Sequence, residues 1–526
     1  MSNTTRTVTK AAGIMMAAIF LSRVSGLFRD MVIAHKFGAG TAVDAYTVAF
    51  NLPDLIWFLL SIGALSGAFI PVFSEHWTKG EKDEAWKVFN IVGTFIFVLL
   101  TVIIILCEIY TPQLLPFVAK GGFAGDPKMQ AEVILLTRIL LPAQLFFLIG
   151  GLVMGTLNTQ QHFLTPALGP TIYNLGIMCG GLVLGDRFGI EGLAWGALVG
   201  AFIGNFLLQV IVVRKFGAVF KPSLNLRHPS VKKIGKLVLP VILGLSLPYV
   251  DTWFNRFFAA DMGESAEAAL NYSNRLMQLP LGVFAQAAAV ALFPTLAALA
   301  ANSQYEEMKK SVNFGLRGLL MLTIPSSILM IVLAKPMIVM LYQSGKFTSA
   351  DADLVTPALI LYSVGIAGWA GQGIITRAFY SLQSGKVPAI SGTVITLFLF
   401  IPLCFYLRET SLSYAGLALA TSIAVTVHML VLLEVLRRRL GGLYGKQILN
   451  SFIKVLAASL LSGATAWVIL RYMPVGTRMQ ALVGVFSASI PAIAVYVAMI
   501  FVLKLDEAKD VWEMISSKLR RRGLGV

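Results

Sequence analysis

The sequence predicts an all-α polytopic membrane protein, with 14 transmembrane helices in two six-helix lobes (a parallel repeat) plus two C-terminal helices. The composition is the first observation behind this fold class. Of the 526 residues, 57% are hydrophobic and only 13% are charged, and the mean hydropathy is +0.78. A soluble protein of this length needs a polar surface that this composition cannot supply. The other two observations are a series of long apolar runs and an internal repeat.

Apolar runs long enough to cross a bilayer recur along the whole chain. A spanning helix needs roughly 20 mostly apolar residues. Each such run predicts one transmembrane helix. The fourteen runs lie at about residues 11–36, 44–72, 88–118, 131–156, 164–185, 190–213, 234–258, 268–300, 312–343, 354–382, 387–407, 413–436, 450–471 and 480–503.

The net charge of +16 comes from basic residues that lie between the apolar runs and near the chain ends. This distribution is typical of a membrane protein that follows the positive-inside rule, and it does not indicate a nucleic-acid partner. With fourteen helices, the basic clusters all fall on one side, which is therefore predicted to be cytoplasmic, with both termini inside. The clusters are Lys79 with Lys82, the segment Arg214 to Lys236, Lys309 with Lys310, Arg437 to Arg439 with Lys446, and Lys518 with Arg520 to Arg522.

An internal repeat divides the chain into two halves. Pro112, Gly121 and Phe123 of the segment PQLLPFVAKGGF recur 224 residues later, as Pro336, Gly345 and Phe347 of PMIVMLYQSGKF. Six helices separate the two copies, so both have the same orientation, and the site is expected between the halves near the midplane. The predicted domains are an N-lobe (helices 1 to 6) at 1–215, a basic cytoplasmic linker and candidate hinge at 216–236, a C-lobe (helices 7 to 12) at 237–440, and helices 13 and 14 with a basic cytoplasmic tail at 441–526.

Charged residues lie well inside the first apolar run. The stretch LSRVSGLFRD at 21–30 contains Arg23, Arg29 and Asp30. An Arg near the centre of a spanning helix costs about 2.5 to 3.5 kcal/mol. On a helix, Arg23 and Asp30 lie within about 20° of each other, so one face of this run is polar. Lipid cannot solvate this face, so it must face protein or a water-filled cavity. Two interpretations stay open: the charges pair with neighbouring helices, or they form the cationic wall of a transport cavity.

Ionisable residues recur in other runs, mostly in helices that the repeat makes equivalent. Arginine predominates among them, and its guanidinium matches phosphate oxygens and keeps its charge at physiological pH. The sequence therefore predicts a central cavity that binds an anion, a phosphate or a diphosphate, with acids offsetting part of the positive charge. The predicted substrate-binding residues are Arg23, Arg29, Arg275, Asp30 and Asp44.

Asp251 in the seventh run is a separate candidate, for a proton or a cation. Pairing with Arg256 is the alternative. No other group suggests a metal or a catalytic site, because the cysteines lie in apolar runs and pair with the histidines at no metal-ligand spacing. We therefore expect no metal, no cofactor and no enzyme activity. The cysteines are Cys107, Cys179 and Cys404.

Several separated motifs resemble the MurJ (MviN) lipid II flippase family, of the multidrug/oligosaccharidyl-lipid/polysaccharide exporter superfamily. Departures are Trp57 and Phe58 where some members have an Arg pair, Gln278 in place of a Glu, and an eleventh run with no acid or amide to complete a sodium site with Asp251. The motifs that carry the resemblance are LSRVSGLFRD at 21–30, FGAG at 37–40, Asp44-Ala45, NLPDL at 51–55 through GALSGAFIPVFSE ending at Glu75, NRLMQLPLGVF at 274–284, QSGKFTSADADL at 343–354 and RAFYSLQSGKVP at 377–388.

The resemblance implies fourteen helices, the last two forming a groove for a lipid tail. It also implies alternating access that moves lipid II, the undecaprenyl-diphosphate-linked disaccharide pentapeptide, from the inner to the outer leaflet of the bacterial cytoplasmic membrane. The family's cavity arginines carry over to Arg23, Arg29 and Arg275, and its acidic companions carry over to Asp30 and Asp44.

No nucleotide-binding motif is present in the sequence, so the membrane potential or an ion gradient is the expected driving force. The expected partners are lipid II, membrane lipids and other cell-wall synthesis proteins. Two other transporters of the superfamily are the alternatives: a polysaccharide-precursor exporter and a cation-coupled drug exporter, although a drug site would need an acidic, aromatic cavity. An enzyme acting on polyprenyl phosphates would need a cluster of acids or histidines near a membrane face, and the sequence shows none.

Overall fold

Helices joined by short turns make up the structure, because a backbone in lipid must satisfy its N–H and C=O groups within the segment itself. A computed structural model describes residues 3–60, 69–118, 126–160, 162–235, 254, 257–259, 262 and 265–505. The chain divides into two compact units. The first unit is Met1–Ala268 with Gly345–Phe347, and the second is Ala269–Ser344 with Thr348–Val526.

The first unit is built around a long amino-terminal helix, α1, of 35 residues. Two of its other helices continue through π-helical segments at Gly180–Leu184 and Ala201–Leu207. The helices are α1 Asn3–Phe37, α2 Thr41–Val48, α3 Asn51–Leu60, α4 Ile70–Thr78, α5 Lys82–Val118, α6 Pro127–Leu140, α7 Ala143–Thr159, α8 Leu164–Cys179, α9 Gly185–Phe188, α10 Glu191–Gly200 and α11 Leu208–Arg214.

The second unit has the same character, with π-helical segments at Leu281–Ala285 and Thr396–Phe400. Its last two helices pack against each other and against the helix that follows residue 304. The helices are α12 Ala266–Pro280, α13 Gln286–Ala301, α14 Tyr305–Val332, α15 Ala334–Tyr342, α16 Ser349–Val364, α17 Ile366–Ser381, α18 Lys386–Ile395, α19 Ile401–Arg408, α20 Ala415–Leu440, α21 Gly445–Arg471 and α22 Arg478–Val502.

Nine helical segments of the described residues are long and apolar enough to cross a membrane, or ten if the bent pair α16 and α17 forms one span. Together with the bent pair as helix 10, they correspond to the predicted helices 3 to 6 and 9 to 14, so the all-α polytopic class is confirmed. The count of fourteen stays a prediction, since parts of the second and seventh runs lie outside the described residues and the first and eighth runs are not among these spans. The nine are Lys82–Phe117, Pro127–Thr159, Leu164–Phe188, Glu191–Arg214, Tyr305–Val332, Lys386–Arg408, Ala415–Leu440, Gly445–Arg471 and Arg478–Val502.

In the first unit, α10 packs backbone to backbone against α8 and the π-helical segment that continues it. A Cβ added at Gly180 would lie 2.2 Å from the carbonyl oxygen of Gly192, and one added at Gly196 would lie 2.4 Å from that of Gly176. These distances leave no room for any side chain. Small residues spaced four apart allow this approach between membrane helices, where van der Waals packing replaces the hydrophobic effect as the driving force.

The predicted linker at 216–236 is held against α5 through its backbone. Asn90 Nδ2 donates to the carbonyl oxygen of Val219 at 2.9 Å, and Asn90 Oδ1 accepts from the amide of Lys221 at 3.1 Å. The amide of Ser223 donates to Thr94 Oγ1 at 3.1 Å. Its described residues therefore belong structurally to the first unit.

Charged side chains fasten the second half of this linker. Lys233 Nζ lies 2.7 Å from Glu75 Oε2, and Lys79 Nζ lies 2.8 Å from Glu75 Oε1. His228 Nε2 lies 2.6 Å from Glu84 Oε1. Hydrogen bonds from Lys233 and then Lys79, with the charges of both, lower the pKa of Glu75 to about 2. The carboxylate is therefore the charge that holds both lysines.

Replacing Glu75 by glutamine is expected to loosen the linker at pH 7, measured as faster amide hydrogen exchange of residues 231–235. The pKa of Glu75 is about 2 in the folded protein and ordinarily about 4.3. The stabilisation that its carboxylate provides is therefore complete at pH values above the ordinary pKa, and it is lost as the pH falls through the lowered pKa. The difference between wild type and Glu75→Gln should therefore shrink with acidification. Glu307→Gln, which removes a surface pair with Lys310 in the second unit, is the control, and equal exchange in wild type and Glu75→Gln at pH 7 would contradict the prediction.

Candidate functional site

A buried ion pair lies within α1. Arg29 donates from Nε and Nη2 to Asp30 Oδ1, at 3.0 and 2.8 Å. Both residues are almost fully buried, with exposed fractions of 8% and 4%. The sequence placed Asp30 on the same face as Arg23, and the contact that joins Asp30 to its neighbour Arg29 is one that the sequence did not predict. The interpretation in which charges pair inside the protein therefore fits these two residues.

Asn174 of α8 completes the environment of this pair. Its Oδ1 accepts from Arg29 Nη1 at 3.0 Å, and its Nδ2 donates to Ser25 Oγ at 3.0 Å and to the carbonyl oxygen of Ser22 at 3.2 Å. The amide thus binds the arginine and α1 together. Sequence reasoning missed Asn174, although an amide inside an otherwise apolar run was the signal that could have found it.

Asp44 binds the start of another helix. Its carboxylate accepts from the amides of Ser265, at 2.5 Å, and Ala268, at 2.6 Å, and the residue is only 3% exposed. The first amides of a helix have no hydrogen-bond partner within the helix. A carboxylate there accepts from them and also interacts favourably with the positive end of the helix dipole. Asp44 therefore ties α2 to residues 265–268, which belong to the same unit, and the sequence did not predict this interaction.

Arg23 and Arg275 differ from Arg29 in that their side chains are exposed. Arg23 is on α1 in the first unit, and Arg275 is on α12. Arg275 Nε donates to Asn271 Oδ1, one turn earlier, at 3.0 Å. One turn later Gln278 donates to Asn274 at 2.5 Å. This face of α12 therefore combines one guanidinium with amide groups, which can donate hydrogen bonds to phosphate and sugar oxygens.

Other predicted site features have different outcomes. Asp251 and Arg256 lie outside the described residues, so the proton or cation site stays a prediction. The rings of Trp57 and Phe58 pack edge to face at 5.3 Å. Arg377 donates to the carbonyl oxygen of Gly373, one turn earlier on its own helix, at 3.1 Å.

The part of the chain that the structure describes contains no group of three or more His, Cys, Asp or Glu side chains that could hold a metal ion. None of its three cysteines forms a disulfide bond. The chemistry that the described site residues offer is hydrogen bonding and charge.

A model of the protein family described as lipid II flippase MurJ matches residues 33–487 of this sequence. This chain belongs to the MurJ lipid II flippase family. The match covers most of the chain and confirms the resemblance that the motifs indicated. Because these MurJ motifs occur with nine or ten apolar spans among the described residues, the chain is a multi-pass membrane protein.

Curated MurJ proteins match this chain along most of its length. The lipid II flippase MurJ of Burkholderia cenocepacia is 29% identical over 477 residues, which are 88% of this chain and 90% of that protein. The probable lipid II flippase MurJ of Haemophilus influenzae is 28% identical over 462 residues, 85% of this chain and 90% of that protein.

Solved structures with the same fold include a lipid II flippase MurJ in an inward closed conformation. It has a TM-score of 0.78 at 24% identity and covers 92% of this chain and 97% of its own. A multidrug resistance MATE family transporter of the MOP superfamily, in an inward-facing conformation, has a TM-score of 0.67 at 16% identity, covering 82% and 98%. The fold is therefore shared between MurJ and MATE transporters, so the fold alone does not select the substrate.

Proposed function

We propose that this chain performs the activity for which its family is named, moving lipid II from the inner to the outer leaflet of the bacterial cytoplasmic membrane. The family match over residues 33–487 carries this proposal. The excess of arginine over acid at the predicted site supports an anionic substrate. A cation-coupled drug exporter would require the opposite charge.

We assign two different roles to the three arginines, on the basis of their burial and their described contacts. Arg29 is committed to Asp30 and Asn174 inside the protein, so we assign it a positioning role. Arg23 and Arg275 are exposed, and we assign them to the diphosphate of the substrate. A guanidinium can bind two oxygens of such a group at once, through charge-assisted hydrogen bonds.

The energy source is proposed to be the membrane potential or an ion gradient, without a cofactor. Moving one negative charge outward across an inside-negative membrane releases about 2.3 kcal/mol per 100 mV. A diphosphate headgroup is negatively charged, so the potential favours outward movement by alternating access. We also propose that both termini and the basic clusters are cytoplasmic, since basic residues concentrate on that side, and that other cell-wall synthesis proteins act with this chain.

Complementation of a bacterial strain depleted of its own lipid II flippase tests this function. Wild type should restore growth, whereas Arg23→Ala and Arg275→Ala should fail at matched membrane expression, because each removes a charge assigned to the substrate. Arg138→Ala is the matched control. Arg138 is an arginine of α6 that donates to the carbonyl oxygen of Glu108 at 3.0 Å, and we assign it no role in binding the substrate.

Each outcome of this experiment has a separate meaning. Failure of an inserted and folded wild type would contradict the assignment to lipid II and would favour an exporter of polysaccharide precursors. Rescue by both arginine variants would contradict the roles of Arg23 and Arg275 but leave the function intact. Failure of Arg138→Ala as well would indicate a general effect of losing arginine.

A further inference from the structure

A cavity in the second unit combines an apolar wall with one arginine. Its volume is about 600 Å³, and it lies where α13, α17 and α20 end and α14 begins. Phe293, Ala297 and Ala300 of α13 contribute to the apolar wall. Tyr305 and Tyr380 contribute half-exposed phenol rings, and Arg439 contributes a guanidinium. All of these residues are outside the set assigned to lipid II.

Arg439 differs from the two arginines that precede it. Arg437 and Arg438 both bind Glu434, at 2.7 Å each. Arg439 instead donates from Nη1 to the hydroxyl of Ser384. A hydroxyl fixes the position of the guanidinium without neutralising it. The cavity therefore has a positioned positive charge at its edge.

Acidic side chains near the cavity are neutralised by other residues. Glu306 and Glu307 follow Tyr305 in the first turn of α14, and they pair with Lys309 at 2.6 Å and with Lys310 at 2.8 Å. These two pairs contribute no net charge. The arginines that end α20 outnumber Glu434 three to one, so the local charge is positive and would attract an anion.

We propose that this cavity binds the headgroup of an anionic phospholipid, with the phosphate on Arg439 and the glycerol and upper acyl chain along Phe293, Ala297 and Ala300. Basic pockets between membrane helices on the cytoplasmic side are suited to such headgroups, and tyrosine prefers the membrane interface. A free phosphate would gain nothing from the apolar wall. This inference depends on the cytoplasmic placement of the basic clusters that we propose above.

The test is a thermal-unfolding titration of the detergent-purified full chain with phosphatidylglycerol, and with phosphatidylcholine as the neutral lipid. A ligand that binds the native state raises the unfolding temperature, and the rise depends on the ratio of the free ligand concentration to its Kd. Phosphatidylglycerol should stabilise wild type and phosphatidylcholine should not. Arg439→Ala should require about fivefold more phosphatidylglycerol for the same rise in unfolding temperature, because one basic side chain near anionic lipid contributes about that factor.

Two further variants distinguish a site from a general charge effect. Arg438→Ala removes an adjacent arginine that is already paired with Glu434, and it should respond to phosphatidylglycerol as wild type does. Ala297→Leu fills the wall of the cavity without changing charge, and it should weaken the response. Equal responses of Arg439→Ala and wild type, or an equal loss in Arg438→Ala, would overturn the proposal.

Competition separates this site from the substrate site. Purified lipid II should leave unchanged the further rise in unfolding temperature that a given phosphatidylglycerol concentration causes in wild type, and Arg23→Ala should bind phosphatidylglycerol normally. Displacement by lipid II would overturn the proposal, because the cavity would then belong to the transport pathway. Because the readout is unfolding and not growth, failed complementation would contradict the proposed function without affecting this result.

Discussion

Replacing Asp30 by asparagine is expected to destabilise the protein by about 3 to 5 kcal/mol, which is typical when one partner of a buried ion pair is removed. The substitution keeps the shape of the side chain but leaves the guanidinium of Arg29 in a buried environment without its carboxylate. Asn174 supplies one neutral oxygen at 3.0 Å, and a neutral acceptor cannot offset the full charge. We expect a lower midpoint for thermal loss of the monodisperse, detergent-purified protein.

Asp186→Asn is the matched control for this prediction. Asp186 pairs with Lys36, at the end of the same helix, at 2.7 Å, and 74% of its side chain is exposed. Exposed ion pairs contribute little to stability, so this variant should unfold close to wild type. Equal midpoints for Asp30→Asn and Asp186→Asn would show that the buried pair does not stabilise the first unit.

Gly180→Ala is expected to have an effect of similar size, for a steric reason. Its new methyl group would lie 2.2 Å from the carbonyl oxygen of Gly192, well inside van der Waals contact. Backbone cannot rotate aside as a flexible side chain can, so α8 and α10 must separate along their length. Overpacking typically costs about 1 to 3 kcal/mol, and a clash with backbone should reach the upper end of that range.

Gly318→Ala offers the comparison for the glycine prediction. Gly318 lies inside α14, and a Cβ added there would meet no heavy atom within 4 Å. Alanine is a better helix former than glycine by about 1 kcal/mol, so this variant should be neutral or slightly more stable. The thermal midpoint of each purified variant provides the measurement. If Gly180→Ala were as stable as Gly318→Ala, close packing of the two helices would not be required.

The fold class could be predicted because hydropathy is a local property of each run. The contacts of Asp44 could not, because its partners Ser265 and Ala268 lie more than two hundred residues away in sequence. The same holds for Gly180, since nothing in its own run identifies α10 as the helix it touches. Arg29 and Asp30 were identified as charges that need partners, but helical spacing did not identify them as partners of each other. A long arginine side chain can bend around the helix to reach an adjacent residue. The angle between two residues on a helical wheel does not take this reach into account.

The attachment of the linker to α5 has a consequence for the length of the tether between the units. A free chain of about 20 residues would have a root-mean-square end-to-end distance of about 25 Å. Residues 216–235 are instead bound at Asn90, Thr94, Glu75 and Glu84, so they provide none of this slack. An insertion of flexible residues after Phe216 would therefore lengthen a loop on the surface of the first unit. Such an insertion would not change the effective concentration that each unit has for the other.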